Sequence, residues 1–88
     1  MISIDIDKAR LDAAQLREIA LHTKDIAAAL EKSRTEHQTT WQGGAGTEFQ
    51  EFAARLCAQM AAFSDETTRL SEDISRICTA VDSANQKL

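Results

Sequence analysis

Apolar residues recur every three or four positions along both halves of this chain, which is the spacing that places them on one face of a helix. In the second half the steps alternate between four and three from Phe49 to Leu88 without interruption. A repeat of 3.5 residues sustained in this way is typical of coiled-coil packing. In the first half the same alternation runs from Leu16 to His37. The pattern therefore predicts an all-α fold of two long amphipathic helices.

The large apolar members of the two stripes form the predicted packing seam between the helices. They are Leu16, Ile19, Ile26 and Leu30 in the first helix and Leu56, Met60, Phe63, Leu70, Ile74, Ile77 and Val81 in the second. An aspartate introduced at Leu70 or Ile74 would place an unpaired charge in this seam. We expect either change to cost several kcal/mol and to unfold the hairpin.

The three glycines of the chain all fall between residues 43 and 46, next to Trp41 and Gln42 and close to the midpoint. Glycine leaves helical backbone angles at little steric cost, so the bend between the two helices is predicted here. We predict a single domain, residues 1–88, and an antiparallel helical hairpin. Helix 1 is expected at about 7–41, the turn at about 42–46 and helix 2 at about 47–86.

Both helices carry start signals in the sequence. Asp7 is the predicted N-cap of helix 1, because Ile6 before it and Leu11 after it have the spacing of a hydrophobic staple. Thr47 and Gln50 have the spacing of a capping box, which would satisfy two backbone N–H groups at the start of helix 2.

A two-helix rod leaves each helix half covered, so a partner is expected. Leu11, Leu21 and Phe52, with flanking alanines, fall outside the seam and are predicted to form an exposed strip that a second hairpin buries in a four-helix bundle. At the bend, Trp41, Phe49 and Phe52 have two interpretations. They close the open end of the hairpin, or they form a docking surface for a partner.

Composition and charge exclude several classes of protein. A net charge of −4, with basic residues scattered singly among acidic ones, argues against binding of nucleic acid. The start of the chain has aspartates and no basic residue, which argues against a secretory signal peptide. The longest apolar runs fall far short of the ~20 residues of a transmembrane helix, and the acidic residues of helix 1 disfavour a membrane surface.

The residues that could carry chemistry have simpler structural interpretations. Cys57 and Cys78 are 21 positions apart on one helix, too far to pair with each other. Beside the seam they are expected to act as small reduced hydrophobes, the alternatives being an intermolecular disulfide or a reactive thiol. His22 and His37 have no second ligand at zinc-site spacing. We therefore predict no catalytic residue, no cofactor and no metal, and a function in binding.

The triplet Trp41-Gln42-Gly43, placed at the bend of a short two-helix chain, resembles the signature of the WXG-motif, ESAT-like proteins exported by type VII secretion systems. The resemblance covers the whole chain. It implies a hairpin that pairs with itself or with a sister protein into a four-helix bundle, is made in the cytoplasm without a cleavable signal, and leaves the cell folded. Some members accompany a larger toxin and help to present it to the secretion machine, whose ATPase is a further implied partner.

The chain departs from this family in one respect. Many exported members carry a Tyr-x-x-x-Asp/Glu element after helix 2, and this sequence contains no tyrosine. The signal for export is then expected on a partner. Three hypotheses follow: a type VII substrate or co-substrate, a cytosolic adaptor that binds a helical domain of a larger effector, and an unrelated structural coiled coil.

Overall fold

The protein is a rod made of two antiparallel helices, in a computed structural model that describes residues 4–40 and 43–87. Helix α1 spans Ile6–Glu36 and helix α2 spans Gly44–Gln86. The rod measures 68 × 15 × 13 Å. The helical hairpin expected from the sequence is confirmed. Trp41, Gln42 and Leu88 lie outside the described residues.

Helix α1 begins slightly earlier than predicted. Asp5, and not Asp7, is its N-cap, because the Asp5 carboxylate accepts a hydrogen bond of 3.0 Å from the backbone N–H of Lys8. Ile4 and Ala9, on either side of this cap, line the same small cavity, which is the arrangement of a hydrophobic staple. Asp7 instead lies in the first turn, where its negative charge interacts favourably with the positive end of the helix dipole.

The bend also differs from the prediction at both of its ends. Helix α1 stops at Glu36, and residues 37–40 form turns in which the His37 backbone N–H donates to the Ser33 carbonyl. Helix α2 starts at Gly44, because Gly43, at a φ of 90°, makes the non-helical step just before it. Thr47 is therefore inside the first turn, and the predicted capping box is wrong. The Gln50 side chain instead donates across the hairpin to the Arg34 carbonyl, at 3.3 Å.

Small side chains fill the tight interface between the helices. Ser64 and Ser71 of α2 each donate a hydrogen bond of 2.7 Å to a backbone carbonyl of α1, those of Ala20 and Ala13 respectively. These bonds fix the antiparallel register. The buried residues of this seam are Ala13, Ala20 and Ala27 of α1 and Gly46, Ala53, Cys57, Ser64, Thr67, Ser71 and Cys78 of α2.

The seam predicted from the large apolar residues is therefore wrong for part of its members. Six are partly buried: Leu16, Leu30, Leu56, Met60, Ile74 and Val81. Five are about half exposed: Ile19, Ile26, Phe63, Leu70 and Ile77. Among the buried and half-buried positions of α2, a series from Gly46 to Asn85 again alternates steps of three and four, but one of its two columns is shifted by one residue from the predicted stripe. Small side chains occupy the shifted column because they let the two backbones approach closely enough for serine hydroxyls to reach carbonyl oxygens.

Candidate partner-binding surface

Large apolar side chains line up on the outside of the seam at intervals of seven residues. On α2 the column is Phe49, Leu56, Phe63, Leu70 and Ile77, each one position before a residue of the shifted seam column. On α1 the equivalent positions, one before Ala20 and Ala27, hold Ile19 and Ile26. A seven-residue interval keeps these side chains in a fixed position beside the seam along the whole rod.

The two columns lie on the same side of the hairpin. In an antiparallel pair, a two-fold axis normal to the plane of the helices relates equivalent positions, so residues that precede the seam on each helix share one side. Two cavities of about 230 Å³ agree with this placement. One brings Ser33 next to Phe49 near the bend, and the other brings Asp12 next to Ile77 near the open end. We call this side the apolar flank, formed by Ile19, Ile26, Phe49, Leu56, Phe63, Leu70 and Ile77.

The opposite side of the hairpin is polar. Arg10 and Asp82, one from each helix, form an ion pair across it with 3.6 Å between the guanidinium and the carboxylate. Arg17 and Lys24 continue the same column of α1. Arg17 faces Thr68 of α2 across one open crevice, and Lys24 faces Ala61 across a second one. We call this side the polar flank.

The apolar flank exposes several large apolar side chains to water. Ile19, Ile26, Phe49, Phe63, Leu70 and Ile77 are between 44% and 57% exposed. Soluble monomers rarely expose a continuous apolar patch of more than a few hundred Å², and larger patches mark interaction sites. A second helical element laid along the flank would remove these side chains from water, each at about 25 cal/mol per Å² of buried apolar surface.

The residues predicted as an exposed strip do not lie together. Leu11, Leu21 and Phe52 are exposed, at 58%, 53% and 57%, but they occupy different faces. Leu21 lines a crevice of the polar flank beside Arg17 and Lys24. Leu11 and Phe52 project from the outer faces of their own helices, away from the seam. The contact of Trp41 with Phe49 and Phe52 stays a prediction, because Trp41 lies outside the described residues.

Both cysteines lie within the seam itself, free and buried. Cys78 faces the start of α1, and Cys57 lies next to Glu31 and Arg34, which form an ion pair near the bend. The hydrogen bond from Arg34 lowers the pKa of the Glu31 carboxyl below its ordinary value. Burial raises the pKa of the Cys57 thiol, and the Glu31 carboxylate raises it further. A thiol that is both buried and held protonated is a packing group and a poor nucleophile.

Across 4–40 and 43–87, no group of three or more His, Cys, Asp or Glu side chains is arranged to hold a metal ion. Neither α1 nor α2, as far as the structure describes them, has a stretch long and apolar enough to cross a membrane.

The fold defines the class of protein, a small all-α helical hairpin with a small-residue seam and an open apolar flank. The particular kind follows from comparison with known proteins. Residues 1–86 match the model of WXG100, described as proteins of 100 residues with WXG, and the chain belongs to this family. Its members are small helical proteins of type VII secretion that typically pair with partners, and they are not known as enzymes. Comparisons with curated proteins and with solved structures returned no match.

Proposed function

We propose that this protein is a substrate or co-substrate of a type VII secretion system and acts by pairing its apolar flank with another helical element. The observation that carries the proposal is the column of large apolar side chains along α2, in which Phe49, Phe63, Leu70 and Ile77 are about half exposed and Leu56 is partly buried. Membership of the WXG100 family supports the secretion role.

The packing of the hairpin supports the proposal that it pairs with a partner. Its seam buries alanine, serine, threonine and cysteine, which remove little apolar surface from water, whereas its phenylalanines and most of its isoleucines stay half exposed. The hydrophobic contribution available within one hairpin is therefore small. A second copy, a sister protein or a helical domain of a larger effector would supply the rest by covering the apolar flank.

The absence of tyrosine from the sequence bears on how export is directed. A chain without the tyrosine element of many exported family members would travel with a partner that carries the signal, or would stay in the cytoplasm as an adaptor for that partner. We favour joint export, with the secretion ATPase engaging the partner.

Export is tested by immunoblotting washed cells and culture supernatant of the native host, with and without an inactivated secretion ATPase. Supernatant signal that depends on the ATPase is the expected result. Signal confined to the cells in both strains would contradict the substrate role and support the cytosolic adaptor. Signal in the supernatant of both strains, with a cytoplasmic control protein absent from it, would point to another export route.

The role of Trp41, which forms the family motif together with Gln42 and Gly43, is tested separately. We expect Trp41→Ala to keep most of the helical circular dichroism, because most of the seam lies along the two helices and away from the bend. If the bend is a docking surface, the variant should lose export or partner binding. Unchanged export would leave Trp41 with a structural role alone. Gln38→Ala, which shortens an exposed side chain in the turn at the same end of the hairpin and outside the predicted docking surface, is the matched control.

A further inference from the structure

The polar flank contains a crevice in which three basic side chains meet. Arg17 and Lys24 of α1 and Arg69 of α2 line it, together with Leu21, Ser64, Asp65 and Thr68, around a volume of about 440 Å³. It lies near the middle of the rod, between the Arg10–Asp82 ion pair and the Glu31–Arg34 ion pair.

These three cations stand out because the rest of the chain pairs many of its own. Among residues 4–40 and 43–87, five of the ten basic side chains form ion pairs with carboxylates: Lys8, Arg10, Lys32, Arg34 and Arg76. Within the described residues, none of the three crevice cations has a carboxylate within ion-pair distance. Asp65 is the sole acidic residue of the crevice lining, so the crevice carries an excess of positive charge in a protein whose net charge is −4.

We propose that this crevice is a second interaction site, which binds an acidic helical segment of a protein other than the one that covers the apolar flank. Arg17 and Lys24 are seven residues apart on one helix face, about 10 Å along the axis. Two carboxylates seven residues apart on another helix have the same spacing and face both cations at once. Leu21, exposed between them, offers an apolar contact to the same segment.

The overall charge of the protein selects this kind of ligand over a long polyanion. Nucleic acid laid along the rod would be repelled by a chain whose 14 acidic residues give it a net charge of −4. A short acidic segment of a protein meets the crevice alone. Because the crevice and the apolar flank are on opposite sides of the hairpin, a third protein can bind while the pairing partner is in place.

The test uses full-length ¹⁵N-labelled protein and a defined probe. The probe is an alanine-based helical peptide of about 20 residues with two glutamates seven positions apart and a leucine between them; the control peptide has glutamines in place of the glutamates. We expect the glutamate peptide to shift the backbone amide resonances of Arg17, Lys24, Thr68 and Arg69, and the glutamine peptide to leave them unchanged. The binding should weaken as salt is raised.

Two matched double variants locate the effect. Removal of two exposed ion pairs weakens binding by roughly two- to thirty-fold, so R17Q/K24Q should lower the affinity for the glutamate peptide by that factor. R55Q/K32Q changes the net charge equally on outer faces and should bind like the original protein. Equal binding of both peptides, or equal loss in both double variants, would overturn the proposal.

Further measurements distinguish an acidic peptide from other ligands, and binding at the crevice from pairing through the apolar flank. Stronger shifts of the same amides by phosphatidylglycerol vesicles or by a single-stranded RNA oligonucleotide than by the glutamate peptide would overturn the proposal in favour of a lipid or a nucleic acid. The mass of the paired assembly in sedimentation should be the same for R17Q/K24Q as for the original protein. A failure of pairing through the apolar flank is thus distinguishable from a failure of the crevice.

Discussion

Gly43 and Gly44 are adjacent residues with opposite backbone requirements. Gly43 has a φ of 90°, in the region that side chains with a Cβ rarely adopt, whereas Gly44 is the first residue of α2. We expect Gly43→Ala to lower the free energy of unfolding by about 1–3 kcal/mol. Gly44→Ala should raise it by about 0.4–1 kcal/mol, because open space surrounds its Cβ position and alanine reduces the freedom of the unfolded chain. Urea unfolding followed by circular dichroism measures both, and effects of the same sign would contradict this account of the bend.

Cys57 makes the stability of the hairpin depend on alkaline pH. Burial raises the pKa of its thiol in the folded protein, so the folded state holds the proton more tightly than the unfolded state. This contribution to stability is complete below the ordinary thiol pKa of about 8.5 and is lost as pH rises through the higher pKa of the folded state. The free energy of unfolding, measured in urea at a series of pH values above 8, should fall more steeply for the original protein than for Cys57→Ala. Parallel curves would show that ionisation of this thiol does not oppose folding.

At the scale of the helices, the small residues of the seam set how closely α1 and α2 approach. Ser64 is 4% exposed and its hydroxyl donates to the Ala20 carbonyl, so the side chain both fills the seam and satisfies its own polar group. A larger residue at this position has to push the helices apart or adopt a strained rotamer. The seam is therefore more sensitive to added volume than to the loss of one hydrogen bond.

The corresponding prediction compares three substitutions of serine in α2. Ser64→Ala should cost about 0.5–1.5 kcal/mol of unfolding free energy through the lost hydrogen bond. Ser64→Leu should cost about 1–3 kcal/mol or more through overpacking. Ser83→Leu, on an exposed face, should change stability by less than about 0.5 kcal/mol. A Ser64→Leu protein as stable as the original would show that the two helices pack through larger side chains than the seam described above.

At the scale of the whole molecule, the seam and the apolar flank have different roles. The seam holds the two helices together and the apolar flank is proposed to bind the partner, whereas the sequence pattern places both sets of residues in one stripe. Ile74 is partly buried beside Ala9 and Cys78, whereas Leu70 is 50% exposed on the apolar flank. An aspartate at Ile74 would leave an unpaired charge against the seam. An aspartate at Leu70 would remain in water until a partner covers the flank.

We therefore expect Ile74→Asp to lose helical circular dichroism and Leu70→Asp to keep it while failing to pair. Sedimentation measures the pairing, with the native partner or with the chain alone. Gln59→Asp adds the same charge on an exposed face of α2 and should alter neither property. If the Leu70→Asp protein pairs normally, the apolar flank is not the partner-binding surface.

The sequence by itself determined the two helices, the presence of a bend near the middle of the chain and the family. These features are local: a periodic stripe, three clustered glycines and a motif can be read without knowing what packs against what. The sequence also showed that cysteines and large apolar residues cluster near one side of α2, but Leu56 and Cys57, Phe63 and Ser64, and Leu70 and Ser71 are neighbours in the chain. Either member of each pair satisfies the helical spacing.

Only the tertiary structure decided which member of each pair faces α1. One residue is a rotation of about 100° around the helix, and the choice depends on the opposing surface of α1, where alanines permit a close approach and the serine hydroxyls find carbonyl partners. That rotation moves Phe63, Leu70 and Ile77 out of the seam. Both the apolar flank and the basic crevice are built from residues of two helices that are distant in the sequence, so neither surface exists until the helices pack in this register.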